Sequence, residues 1–174
     1  MMSSAEQPLT LVLVGPMAAG KTSVGRKVAR LLAVPFVDTD KRIAADHGPI
    51  PEIFTTHGEA HFRALERDAV RAAVAEGGVI SLGGGAVTDS ATRALLRRHP
   101  VVFLTVSADA VAQRIRGSAR PLLAGEDDPV SRWRDIFDQR RSWYEEVADL
   151  TVDTSRRPMR ALAEEIAAWR RKQS

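Results

Sequence analysis

The chain has 174 residues, enough for one domain with a sizeable core and a tight fit for two. Hydrophobic residues make up 44% and charged residues 27%, the balance of a soluble, folded chain and not of a disordered one. The net charge is only +3, and aromatics, at 5%, are not interleaved with any Lys/Arg run, so no nucleic-acid surface is expected; a pocket for small anions uses the arginines better.

Thr10 to Val14 is a short, continuous apolar run ending at Gly15, the pattern of a strand buried on both faces. Apolar residues then recur at helical spacing from Lys21 to Leu32, and Ala33-Val34-Pro35 stops that helix. Pro35 to Val37 predicts a second strand, running into Asp38-Thr39-Asp40, and Gly58 to Glu76 a helix closed by Gly77-Gly78. Val79 to Leu82 predicts a third strand leading into Gly83-Gly84-Gly85, and Thr88 can cap the helix that follows to about Arg98. Val101 to Val106 is a fourth strand, with a helix from about Ala108. Gly117 to Asp128 is rich in Gly, Pro and charge and reads as a mobile loop. Ser131 to Ala148 reads as a helix, Leu150 to Val152 as a fifth strand, and Pro158 opens a terminal helix.

Short apolar strands thus alternate with helices, which predicts an α/β fold: one parallel sheet with helices on both faces. No repeat, low-complexity segment or linker divides the chain, so residues 1–174 are expected to form a single domain. No apolar run approaches the roughly 20 residues that cross a bilayer. Met1 to Pro8 lacks the basic flank and apolar stretch of a signal peptide. The absence of cysteine excludes disulfides, a thiolate nucleophile and Cys-based zinc. A cytoplasmic protein with no membrane contact is expected, and a monomer, since nothing demands a partner protein.

The run from Gly15 to Thr22 fits G-x-x-x-x-G-K-[ST] between a predicted strand and a predicted helix, the context that a phosphate-binding loop requires. Glycines let such a backbone curl around phosphates, and the helix that follows adds its N-terminal dipole and free N–H groups. A nucleoside triphosphate is expected against Gly15, Ala18, Ala19, Gly20, Lys21, Thr22 and Ser23. Lys21 can reach the β- and γ-phosphates, and the Thr22 hydroxyl can ligate Mg²⁺.

A phosphate loop alone does not choose between a kinase, an NTPase and a GTPase switch. Three further constellations bear on that choice. Asp38 and Asp40, i and i+2 in an extended segment, project to one side, so that one can reach the magnesium shell and the other an acceptor hydroxyl; the alternative is an Asx turn and helix cap. Gly83-Gly84-Gly85, just past a strand, lets a ligand approach the backbone closely. Four arginines, Arg63, Arg120, Arg140 and Arg157, are set apart from those expected on solvated helix faces, and each can grip carboxylate or phosphate through two parallel hydrogen bonds.

Taken in order, these motifs resemble the shikimate kinase family along nearly the whole chain. The resemblance rests on Gly15 to Thr22, Asp38-Thr39-Asp40, Gly58-Glu59 with Phe62-Arg63 and Glu66, and Gly83-Gly84-Gly85. It continues through Arg120-Pro121-Leu122-Leu123, Arg140 with Tyr144, and Asp153-Thr154 with Arg157. It implies a three-layer P-loop kinase fold with a five-stranded parallel sheet, a substrate-binding helical region at about 38–66 and a mobile lid at about 114–128. It further implies transfer of the γ-phosphoryl of ATP to the 3-hydroxyl of shikimate. Asp38 would support Mg²⁺ and Asp40 would orient or deprotonate the attacking hydroxyl. Arg63 and Arg140 would clamp the carboxylate, and Gly83 to Gly85 would close over the substrate. Arg120 would reach the phosphates from the lid and Arg157 would lie against adenine.

The sequence departs from the family in two places. Ser142-Trp143-Tyr144 stands where Pro-Leu-Tyr is usual, so Arg141 is an alternative to Arg140. The lid is slightly short, and either Arg114 or Arg116 can be its second arginine. The rivals are a gluconate or nucleoside monophosphate kinase, a non-catalytic nucleotide-binding regulator, and a GTPase switch, the last disfavoured because no Asn-Lys-x-Asp run is present.

Overall fold

The computed structural model describes residues 8–116 and 128–174. Five strands, β1 (Thr10–Val14), β2 (Phe36–Asp38), β3 (Gly78–Ser81), β4 (Val101–Thr105) and β5 (Leu150–Asp153), form one sheet in the order β2-β3-β1-β4-β5. Every pairing is parallel, with Leu11 opposite Val79 and Val12 opposite Val101. The central strand β1 is buried along its whole length, as its unbroken apolar run requires.

The helices are α1 (Lys21–Leu32), α2 (Thr39–His47), α3 (Ile50–His57), α4 (Glu59–Glu76), α5 (Ser90–Leu96), α6 (Ala108–Ile115), α7 (Pro129–Val147) and α8 (Met159–Arg171). From β1 the chain moves one way across the sheet to β2, and from β3 the other way to β4 and β5. Right-handed crossovers in opposite directions put their helices on opposite faces, giving three layers. The main core joins the strands to α1, α7 and α8. A smaller core of Ile43, Ile53 and Phe62, flanked by Ile50, Phe54 and Leu65, holds α2, α3 and α4 together beyond the end of β2.

Two local expectations are corrected. The segment Asp38-Thr39-Asp40 is not extended: the strand stops at Asp38, whose side chain caps α2 by accepting from the Lys41 amide at 3.2 Å. Aspartate is a poor strand former and a strong N-cap, so the capping alternative prevails locally. Nor does Thr88 cap the helix after β3. It closes a 3₁₀ turn, Ala86–Thr88, and Asp89 caps α5 by accepting from the Thr92 amide at 2.8 Å. Helices α2 and α3 have no counterpart among the predicted elements, being two short pieces broken at Gly48-Pro49. Helix α7 begins two residues before its expected start, with Pro129 in its first turn behind the Asp128 cap.

Candidate active site

All carboxyl ends of the parallel strands open on one edge of the sheet, where loop residues after β1, β2 and β3 converge. After β1, Gly15 has φ +150° and passes so close to the Leu104 carbonyl that a Cβ would collide with it. Gly20 takes a left-handed φ of +86° at the N-cap of α1. Each carbonyl from Gly15 to Ala19 accepts from a side chain. Lys21 Nζ donates to the Gly15 and Pro16 carbonyls at 2.7 and 2.9 Å. Trp133 Nε1, from α7, donates to Met17 at 2.8 Å. Arg114, from α6, donates to Ala18 at 2.7 Å, and the Thr154 hydroxyl, just past β5, to Ala19 at 2.8 Å. Side chains from four parts of the fold thus hold the loop, next to the electropositive N-terminus of α1.

At the start of α1 the Thr22 hydroxyl donates to Asp38 Oδ2 at 2.9 Å. Two oxygen donors side by side at the end of a phosphate loop suit magnesium, which takes few protein ligands and keeps water and phosphate as the others. Among the described residues no group of three or more His, Asp or Glu forms an all-protein metal site.

On the other side of this pair lies Asp40, in the first turn of α2. Its Oδ1 is buried without a hydrogen-bond partner. Burial, then the charge of Asp38, push its carboxyl above the usual range, against the pull of Lys21 and Arg63. Arg63, in α4, donates to Glu66 at 2.7 Å and lies over the Phe62 ring at 5.3 Å; its Nε is buried and unpartnered. Glu66 is only 3% exposed, and burial raises its pKa to about 7 although Arg63 opposes the rise. From α7, Arg140 faces Glu66 and Tyr144, and the Tyr144 hydroxyl donates to the Gly84 carbonyl at 2.5 Å. Burial pushes the Tyr144 hydroxyl up to about 12, so it stays a donor at any physiological pH.

The glycine triplet lies beneath these groups. A Cβ on Gly83 would come within 2.6 Å of Asp40 Oδ1, and one on Gly85 would collide with the Arg63 guanidinium. None of the three has a positive φ. Gly83 and Gly85 are glycines because Asp40 and Arg63 rest on the backbone, not because the turn demands it. Phosphate loop, carboxylates, arginines and triplet line one cavity of about 460 Å³, within the usual size of a small-molecule site.

Most residues singled out from the sequence therefore meet. Lys21, Thr22, Ser23, Asp38, Asp40, Arg63, Gly83 to Gly85 and Arg140 line the cavity. Arg63 and Arg140 prove to lie on helices, on faces turned to the cavity. Arg141 is exposed and paired with Glu145 at 2.9 Å. Arg157 lies apart, half-exposed, in an ion pair with Glu165 at 2.5 Å. Arg114 holds Ala18 and Thr154, while Arg116 is exposed at the end of α6. Arg120 and most of the expected lid lie outside the described residues. Sequence reasoning gave no role to Glu66, Tyr144 or Trp133. The signal was present in α7, where Trp133, Phe137, Arg140 and Tyr144 fall at i, i+4, i+7 and i+11, one helical face.

A braced phosphate loop at the carboxyl edge of a β2-β3-β1-β4-β5 sheet, facing a carboxylate and two arginines, defines a small P-loop phosphotransferase. Comparison with known proteins then narrows the class. The family profile described as shikimate kinase matches residues 17–170, and the chain belongs to that family. A shikimate kinase from Salinispora arenicola is 51% identical over 160 residues, covering 90% of this chain and 95% of the relative. One from Streptomyces coelicolor is 46% identical over 84% of this chain and 86% of its own. A shikimate kinase from Acinetobacter baumannii, solved in complex with shikimate, superposes with a TM-score of 0.87 at 37% identity, covering 97% of this chain and 96% of the other. The chain is therefore an ATP-dependent shikimate kinase, which displaces the gluconate kinase, nucleotide kinase, regulator and GTPase readings. Among the described residues no helix is long and apolar enough to cross a membrane.

Proposed function

We propose that the chain transfers the γ-phosphoryl of ATP to the 3-hydroxyl of shikimate inside the 460 Å³ cavity, releasing ADP and shikimate 3-phosphate. The observation that carries this reading is Asp40. It is a buried carboxylate with an orphaned oxygen, set between the phosphate loop and the Arg63 and Arg140 guanidiniums. A hydroxyl placed there satisfies the orphan and gives up its proton to a carboxylate made more basic by burial.

The triphosphate lies along Gly15 to Ser23, with Lys21 exchanging its loop carbonyls for phosphate oxygens. Thr22 and Asp38 would hold Mg²⁺, which when bound supplies positive charge against that of the phosphates. Arg63 and Arg140 fork onto the shikimate carboxylate, and the backbone of Gly83 to Gly85 lies under the ring. Arg120 reaches the phosphates from a lid spanning about 114–128, which keeps water from the γ-phosphoryl, and Arg157 leaves Glu165 to lie against adenine. Little covalent chemistry falls to the protein; positioning and charge neutralisation account for the rate. The enzyme acts as a single-domain monomer in the cytoplasm.

ADP release, measured by a coupled assay with ATP and Mg²⁺, tests the reading when shikimate, gluconate and nucleoside monophosphates are compared side by side. Shikimate alone is expected to turn over. Comparable turnover of gluconate or a nucleotide would overturn the assignment.

A further inference from the structure

Helix α7 ties down two loops at once. Near its start Trp133 Nε1 donates to the Met17 carbonyl of the phosphate loop at 2.8 Å. Near its end the Tyr144 hydroxyl donates to the Gly84 carbonyl of the loop after β3 at 2.5 Å. Arg140 lies between them on the same helix face, its charge bearing on the Tyr144 hydroxyl. The intervening face is a row of stacked rings: Trp133 on Phe137 at 5.2 Å and Phe137 against Tyr144 at 6.3 Å, with Phe103 of β4 stacked on Tyr144 at 5.2 Å. Trp133 and Tyr144 are both buried. Close-packed rings on one helix face transmit displacement instead of absorbing it.

We propose that Trp133 is a positioning residue that makes nucleotide affinity depend on occupation of the acceptor site. Seating an anionic acceptor on Arg140 fixes α7, and α7, through the indole N–H, fixes the phosphate loop in the shape that nucleotide binds. The other braces of that loop cannot do this. Arg114 comes from α6 and Thr154 from the end of β5, and Lys21 belongs to the loop's own helix. Among the hydrogen bonds between described residues, that of Trp133 is the one that joins the loop to the helix that carries Arg140. The inference rests on the placement of ATP and shikimate given above.

The test is the affinity of a non-hydrolysable ATP analogue, by calorimetry, with and without saturating shikimate. In the unaltered enzyme shikimate is expected to tighten the analogue by roughly fivefold or more, and the analogue to tighten shikimate by the same factor. Trp133→Phe keeps the ring and removes the donor. It is expected to weaken the analogue by about 3- to 10-fold and to bring the shikimate effect close to one. Thr154→Val also removes a brace, but one not attached to α7. It is expected to weaken the analogue while leaving the shikimate effect intact. Tyr144→Phe, which cuts the tie at the other end, is expected to reduce the effect as Trp133→Phe does, and serves if that variant does not fold.

Three results would overturn the proposal: no shikimate effect in the unaltered enzyme, an effect that survives both α7 substitutions, or an equal loss in Thr154→Val. These outcomes are separate from failure of the functional reading, in which the unaltered enzyme would not phosphorylate shikimate at all.

Discussion

On the nucleotide side of the cavity every carbonyl from Gly15 to Ala19 already has a donor, whereas on the acceptor side Asp40 Oδ1 and Arg63 Nε are buried with none. The phosphate loop is backbone held from outside, by side chains of α1, α6, α7 and the segment after β5. The acceptor half is a cluster of charges around the small core of Ile43, Ile53 and Phe62. Such a cluster costs stability until something fills it, because unpaired buried polar atoms are expensive. Nucleotide recognition is thus built into the fold's frame, while acceptor recognition is stored as unsatisfied polarity beside it.

The largest expected effect is on that orphaned carboxylate. Asp40→Asn should lower kcat by about 10²- to 10⁴-fold, the range for loss of a general base, with nucleotide affinity and melting temperature maintained. Near-normal kcat, or a chain destabilised as though a brace had been lost, would break the contrast between the two halves. Next comes the carboxylate clamp. Arg140→Ala should raise the shikimate KM by roughly 10- to 100-fold and leave the ATP KM less affected. Arg141→Ala removes an exposed pair with Glu145 and a contact over the Phe137 ring, and should change either constant by less than about twofold. The reverse result would move the clamp to Arg141.

The smallest effect is a pH slope. Glu66 is raised to about 7, first by burial, with Arg63 opposing. The folded chain therefore holds this proton more tightly than the unfolded chain. The stability it contributes is fully present below the ordinary glutamate value and is lost as pH rises towards 7. Ionised Glu66 also competes with the acceptor's carboxylate for Arg63. The shikimate KM should rise on the order of 3- to 10-fold between pH 6 and pH 8, and Glu66→Gln should flatten the rise. A slope unchanged by Glu66→Gln would assign it to another group.

How far each half could be read in advance follows the same division. The phosphate loop was legible because its chemistry lies within eight consecutive residues, Gly15 to Thr22, flanked by a strand and a helix whose patterns are plain. The five strands were legible because each is short, apolar and bounded by Gly, Pro or a charge. Helices α2 and α3 were not, since nine residues with two buried side chains, Thr39 and Ile43, and eight with one, Ile53, show no periodicity. Asp38 and Asp40 were rightly noticed for the wrong local reason. A helix start, not a strand, brings both to the cavity.

By itself the sequence determined the order of the strands and of every described helix but α2 and α3, the phosphate loop and the set of charged residues from which an acceptor site is drawn, because these are local patterns. Only the tertiary structure decided that Asp40 rests on Gly83 and Arg63 on Gly85, that Arg140 and not Arg141 faces Glu66, and that Trp133 holds Met17. Those pairs are far apart in the chain. Their meeting depends on how parallel strands order themselves and how helices pack across them, which no local pattern specifies.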